Sequence, residues 1–206
     1  MPRIRAASID EHKELTRRAI LDAAEELIGE VQTAEVSLGE LTAAAGIGRT
    51  TFYEYFADRD DVIAALVEEE LPEVITRLIE GLKSTGTAER LAELAVATVE
   101  FVVANPVLGV ILHREVPRLG VEAQERIMQA HAGLSKEMAS LYRRGVEEGV
   151  FRRLEPDLAG RLIQDTIMSA ARTVIASTSP SQRLGSITEG MRGFLLSGLR
   201  AESRVE

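Results

Sequence analysis

Residues 48–56, Gly-Arg-Thr-Thr-Phe-Tyr-Glu-Tyr-Phe, crowd one guanidinium and four hydroxyls into a short segment. On a helix, Phe52 and Phe56 are four apart and share an inward face, which leaves Arg49, Thr50, Tyr53 and Glu54 outward. A guanidinium can grip a guanine edge in bidentate fashion, and threonine and tyrosine hydroxyls suit phosphate oxygens. The chemistry that fits is contact with duplex DNA. Glu54 repels phosphate unless it accepts from a cytosine amino group.

No competing chemistry emerges. His113 and His131 lie 18 residues apart, without a histidine or carboxylate three or four positions further on to complete a chelate, so no metal site is expected. No Ser-His-Asp set, glycine-rich phosphate loop or paired-carboxylate motif is present, so no catalytic residue and no cofactor are expected. Cysteine is absent, which removes disulfides, thiolate nucleophiles and cysteine-ligated metals.

The elements that must hold the segment are helical. Among 206 residues, 45% are hydrophobic and only 4% aromatic, strand-like alternation is missing, and apolar residues recur at helical spacing. The first helix is expected to open at a capping box, Ser8-Ile9-Asp10-Glu11, and to bury Leu15, Ala19, Ile20, Ala23, Ala24, Leu27 and Ile28. A second capping box, Ser37-Leu38-Gly39-Glu40, starts a short helix that Gly46-Ile47-Gly48 breaks, and another runs from about Arg49 to Phe56. Residues 37–56 therefore fit a helix-turn-helix. Asp58 caps a long helix bent at Pro72, and the run Glu68-Glu69-Glu70 is expected on a solvated face. Thr87 is expected to cap the next helix, which Asn105-Pro106 ends; a short apolar helix spans 107–115 and a long one 120–148. Two final helices, 156–177 and 180–200, each start near a proline. The boundary falls near residue 58, giving an N-terminal domain 1–57 and a second domain 58–206.

These residues resemble the tetracycline-repressor (TetR) family of transcriptional regulators. The likeness lies in Thr16-Arg17-Arg18-Ala19-Ile20-Leu21-Asp22-Ala23-Ala24, in Ser37 through Gly46, in Gly46 through Phe56, and in Ala57-Asp58-Arg59-Asp60-Asp61-Val62. It covers the first third in motif and the whole chain in length and helix plan. What it implies is an all-α fold: a three-helix, helix-turn-helix DNA-binding domain followed by a helical ligand-binding and dimerisation domain. It implies base contacts from Arg49 and Thr50, and phosphate contacts from Thr51, Tyr53 and Tyr55. Ser37 and Leu38 sit where a helix start meets the DNA backbone, with Arg17 and Arg59 as further backbone cations and Arg3 and Arg5 as a minor-groove arm. Two departures are Gly48, where serine is common, and Glu54. The head is also acidic: residues 1–60 hold seven basic side chains against twelve acidic ones.

The resemblance also implies an effector pocket among the middle helices. Apolar candidates for its lining are Phe101, Leu108, Leu112, Met128 and Met138; polar ones are Thr98, Asn105, His113, His131, Tyr142, Gln164 and Arg172. Their apolar balance favours a hydrophobic or amphipathic small molecule. A homodimer is implied through the last two helices, with Leu162, Ile167, Ala170, Val174, Ile187, Met191, Phe194 and Leu195 on the expected interface. The expected partners are thus an operator in double-stranded DNA, a small-molecule effector and a second copy, with no membrane contact. The beginning of the chain has no apolar signal core, so a cytoplasmic location is expected. The net charge of −9 excludes a protein that coats nucleic acid by bulk charge. It leaves open one alternative: a helical small-molecule binder whose helix-turn-helix no longer reads DNA.

Overall fold

Apolar residues at helical spacing carry nearly the whole chain into α-helix in the computed structural model, which describes residues 6–30 and 36–201. The helices are α1 (Ala6–Glu30), α2 (Leu38–Ala44), α3 (Arg49–Phe52), α4 (Arg59–Glu80), α5 (Thr87–Ala104), α6 (Pro106–Val110), α7 (Val121–Glu147), α8 (Pro156–Ile175) and α9 (Pro180–Leu199). A π-helical turn, Ile111–Glu115, and a 3₁₀ turn, Val116–Arg118, link α6 to α7. Among the described residues there is no strand beyond one isolated bridge between Phe151 and Arg200. No described helix is long and apolar enough to cross a membrane.

Several local expectations are corrected. α1 begins at Ala6, which puts Ser8 inside the helix instead of at its cap. Thr87 is the first residue of α5 and Gly86 takes the cap; the Thr87 hydroxyl donates instead to Glu148 Oε1 at 2.8 Å. α3 stops at Phe52, because the N–H groups of Glu54 and Tyr55 bond three residues back, to Thr51 and Phe52, and tighten the chain into turns. Leu15 is exposed, outside the buried stripe of α1. The segment 107–115 is not one α-helix: after Val110 the wider π-turn takes over.

The capping box on α2 forms in both directions. Ser37 Oγ accepts from the Glu40 N–H at 3.2 Å, and the Glu40 carboxylate accepts from the Ser37 N–H at 2.8 Å. Gly46 supplies the left-handed turn residue at φ +67°, whereas Gly48 is extended at φ −83°. Asp58 caps α4 by accepting from the Asp61 N–H at 2.9 Å, while the Asp61 carboxylate accepts from the Ala57 N–H at 2.8 Å.

The chain gathers into two compact units. One holds the residues up to Leu71 together with Pro106–Ala130; the other holds Pro72–Asn105 together with the residues from His131 onward. In the first, Ile20, Leu21, Ile28, Leu41, Phe52, Phe56, Val62, Ile63 and Leu66 are buried, as are Leu108, Ile111, Leu119 and Ile127. Arginines and carboxylates tie its helices together. Arg126 on α7 reaches Asp61 Oδ1 at 2.6 Å and grips both carboxylate oxygens of Glu68, at 3.0 and 2.6 Å. Asp60 Oδ2 accepts from the Gly120 N–H at 2.8 Å. Arg59 pairs with the buried Glu115. Glu69 pairs with Arg17 and lies 3.9 Å from Arg18. Glu68 and Glu69 are thus bound to arginines, and the acidic run is not simply a solvated face.

In the second unit α5, α8 and α9 pack on one another, burying Leu91, Leu94, Val99, Ile163, Ile167, Val174, Met191 and Leu195. Gly149, at φ +73°, ends α7, and the chain then turns back through Phe151, whose ring stacks on Tyr142 at 6.1 Å. The Tyr142 hydroxyl donates to the Arg152 carbonyl at 3.0 Å and accepts from the Leu154 N–H at 2.8 Å. Gly145 faces the Phe151 ring so closely that a Cβ would run into it. Gly145→Ala should therefore lose stability. Helix propensity favours alanine by about 1 kcal/mol, but displacing a packed ring costs about 1–3 kcal/mol. We expect calorimetry to give a melting temperature a few degrees below that of the parent; a higher one would show that the ring moves freely.

Candidate nucleic-acid interface and ligand cavity

Four residues are too few to make a stable helix in isolation, so α3 takes its position from what lies beneath it. Phe52 is fully buried and Phe56 nearly so, their rings 6.0 Å apart. With those side chains inward, Arg49, Thr50, Tyr53 and Glu54 are exposed, and Thr51 and Tyr55 are half-buried. Tyr53 meets Phe52 edge-on at 5.7 Å yet leaves 58% of its surface in solvent. A Cβ on Gly39 would lie 3.8 Å from Arg49 Nη2, so the Arg49 side chain reaches across the start of α2. Ser37 is exposed and Leu38 half-buried at that same start. Exposed hydroxyls and one guanidinium therefore share a face with the start of α2.

The other two sequence-predicted cations are differently placed. Arg17 pairs with Glu69, and its guanidinium lies 5.5 Å from the centre of the Phe56 ring. Arg59 is largely buried against Glu115, with Asp60 Oδ1 at 3.4 Å. Both are held by carboxylates of the same unit. Arg3 and Arg5 lie outside the described residues.

The second unit contains a cavity of about 630 Å³ between residues of α5, α7 and α8. Of the sequence-predicted residues, His131, Tyr142, Gln164, Thr98 and Met138 line it. Phe101, Asn105 and Arg172 are not among its lining residues. Asn105 instead donates its side-chain amide to the Phe101 carbonyl at 2.9 Å, and Arg172 is exposed. Leu108, Leu112 and Met128 belong to the first unit, where Met128 is exposed. The side chain of His113 lies outside the described residues. Residues overlooked in the sequence are Leu134 and Ser135 on α7, Ile163 on α8, and Arg143 and Arg153. The spacing of Leu134, Met138 and Tyr142 along one face of α7 was the available signal.

Burial lowers the His131 pKa, so the imidazole is neutral near pH 7, with Nδ1 3.3 Å from Ser135 Oγ. The Tyr142 hydroxyl is already spent on the backbone of 152–154. The Thr98 hydroxyl likewise donates to the Leu94 carbonyl at 2.8 Å. Among the described residues, no group of three or more His, Cys, Asp or Glu is arranged to hold a metal.

The expected dimer face divides. Ile167, Ala170, Val174, Met191 and Leu195 are buried within the chain itself, and Ile167 also lines the cavity. Burial by their own unit removes these side chains from the free surface on which a dimer contact was expected. Leu162 and Phe194 remain exposed, at 45% and 68%, and Ile187 is half-buried. These three line a shallow groove of about 460 Å³ on α8 and α9.

Comparison with known proteins places this geometry. Residues 20–66 match the family model for bacterial regulatory proteins of the tetR family, and residues 84–172 match that for the tetracyclin repressor-like C-terminal domain. The chain is 24% identical to the fatty acid metabolism regulator protein of Bacillus subtilis, over 87% of this chain and 93% of that one. It is 48% identical to the transcriptional repressor LfrR of Mycolicibacterium smegmatis over 54 residues, which span 26% of this chain and 28% of LfrR. The crystal structure of Bacillus subtilis FadR in complex with stearoyl-CoA shares the fold at a TM-score of 0.72 and 22% identity, over 89% of this chain and 99% of that one. A TetR-family structure from a Shewanella species gives a TM-score of 0.74 at 18% identity, over 91% and 99%. The family and these relatives are transcriptional regulators, not enzymes. With a helix-turn-helix at one end, a cavity in the second unit and both family models matched, this chain belongs to the TetR family of ligand-responsive transcriptional regulators.

Proposed function

We propose that two copies of this chain repress transcription by binding an inverted-repeat operator, and that a small hydrophobic or amphipathic effector releases them. The observation that carries the reading is the exposed Arg49–Thr50–Tyr53 face on a helix whose other side is locked by Phe52. In this proposal residues 1–57 read DNA, and residues 58–206 bind effector and dimerise. Arg49 and Thr50 contact base edges; Thr51, Tyr53 and Tyr55, with Ser37 and Leu38, hold the phosphate backbone. Arg17 and Arg59 contribute only by exchanging Glu69 and Glu115 for phosphate.

Two heads must reach half-sites about 34–36 Å apart, or a multiple of that, which requires a dimer of defined geometry. The exposed Leu162 and Phe194, with the half-buried Ile187, supply apolar surface for a two-fold contact between α8 and α9 of each copy. The effector occupies the cavity lined by His131, Met138, Tyr142 and Gln164. It releases DNA only to the extent that it binds the non-reading conformer more tightly than the reading one. The stearoyl-CoA complex of the Bacillus subtilis protein supports a ligand with a long apolar portion.

Three measurements test this. Selection from random duplex DNA should enrich an inverted repeat; the Arg49→Ala variant should bind it about 1–3 kcal/mol more weakly and with relaxed preference at one position. Tyr53→Phe should weaken all sequences alike, as loss of a phosphate contact does. If Arg49→Ala changes neither affinity nor preference, the reading face is elsewhere. Failure to enrich any site, from protein refolded free of ligand, would favour a helical binder that no longer reads DNA. Phe194→Glu should convert the dimer to monomer in sedimentation, and an unaltered dimer would move the interface off α8 and α9.

A further inference from the structure

We propose that the cavity selects an amphipathic anion, its apolar body among Leu134, Met138, Ile163 and Ile167 and its charged head at Arg143 and Arg153. This rests on the reading of the cavity as the effector site and names the chemistry of its occupant.

The body follows from the interior. Those four side chains are almost fully buried and apolar. The hydroxyls beside them are already committed: Thr98 to the Leu94 carbonyl, Tyr142 to the backbone of Arg152 and Leu154. His131 is kept neutral by burial and has Ser135 as its neighbour. An ionised head placed there would lose its hydration with no charge to replace it, which is costly. An alkyl or other apolar body loses nothing.

The head follows from the charged residues of the lining, which are Arg143, Glu147 and Arg153. All three are exposed, so they lie where the cavity meets solvent. Their sum is one positive charge, in a chain whose net charge is −9. Arg17, Arg59 and Arg126, by contrast, are each held by carboxylates. Neither Arg143 nor Arg153 has an ion pair among the described residues, although Glu147 stands one helical turn from Arg143. Two guanidiniums with no ion pair, at the rim of an apolar cavity, suit a carboxylate or phosphate head, which they can bind through paired N–H donors. A cationic amphiphile would meet two like charges and one opposite one.

The probes are decanoate, decyl phosphate, decanol and decyltrimethylammonium, titrated calorimetrically into the full-length protein below micelle-forming concentrations. We expect at least one of the anions to bind about tenfold or more tightly than decanol, a difference typical of a charge-assisted hydrogen bond. The cationic probe should bind more weakly than decanol. The better anion identifies the head as carboxylate or phosphate. In the doubly substituted Arg143→Gln/Arg153→Gln protein the anions should fall to the affinity of decanol. Both sites are exposed, so an unchanged melting temperature confirms that the variant is folded. Equal binding of anions and decanol, or an anion preference that survives the double substitution, overturns the anion proposal but leaves the cavity as an apolar ligand site. Binding of none of the four probes overturns both.

Discussion

A helix of four residues such as α3 has no stability of its own, and the unit that carries the helix-turn-helix is organised around that constraint. Its geometry comes from Phe52 and Phe56, which anchor it in the core shared with Ile20, Leu21, Leu41, Val62 and Ile63. α2 is in turn fixed at its start by the reciprocal Ser37–Glu40 cap and at its end by the left-handed Gly46. Before α3 stands Gly48, which offers no side-chain cap. That loss costs only a few tenths of a kcal/mol, which the buried phenylalanines readily offset. The outward residues can therefore be polar without endangering the fold, because none of them holds it together.

The acidity of the first unit has a structural counterpart. Asp60, Asp61, Glu68, Glu69 and Glu115 are all engaged, by Gly120, Arg126, Arg17 and Arg59. Of these acids only Asp60 lies within the first 60 residues, while Glu69 and Glu115 occupy two of that segment's cations, Arg17 and Arg59, so these pairs do not relieve its acidity. The same pairs join the first half of α4 to the π-turn and to the start of α7. Exposed ion pairs of this kind are individually weak. Here one arginine grips two carboxylates, and Glu115 is almost fully buried, so the set restrains the geometry of α4 more than any single pair would.

The second unit solves a different problem: a cavity must exist without collapse of the core. α5, α8 and α9 pack closely on small and branched residues, while α7 and the returning 149–155 segment are held by the stacked Tyr142 and Phe151 rings. Tyr142 serves as a strut whose hydroxyl clamps the backbone on the far side of the turn. The space left between α7 and α8 is lined chiefly by aliphatic and thioether side chains, with charge confined to its edge.

Much of this was legible from residue types alone. Phe52 and Phe56 at four-residue spacing had to share a face, so the outward set of Arg49, Thr50, Tyr53 and Glu54 followed from helical geometry. The Ser37–Glu40 cap, the Gly46 turn and the helix stop at Gly149 were equally local, because each depends on only a few consecutive residues. The partners of charges were not. Arg59 and Glu115 are 56 residues apart, and Arg126 and Glu68 are 58 apart; no local rule pairs them. The apolar stripes of α8 and α9 posed the same difficulty, since Ile167 and Phe194 are alike in type but one faces the chain's own core and the other solvent. Periodicity states that a helix has an apolar face; only the packing of the other helices decides what covers it. Which side chains enclose the cavity is likewise a property of how α5, α7 and α8 meet, and tertiary structure alone brought Arg143 and Arg153 to its rim.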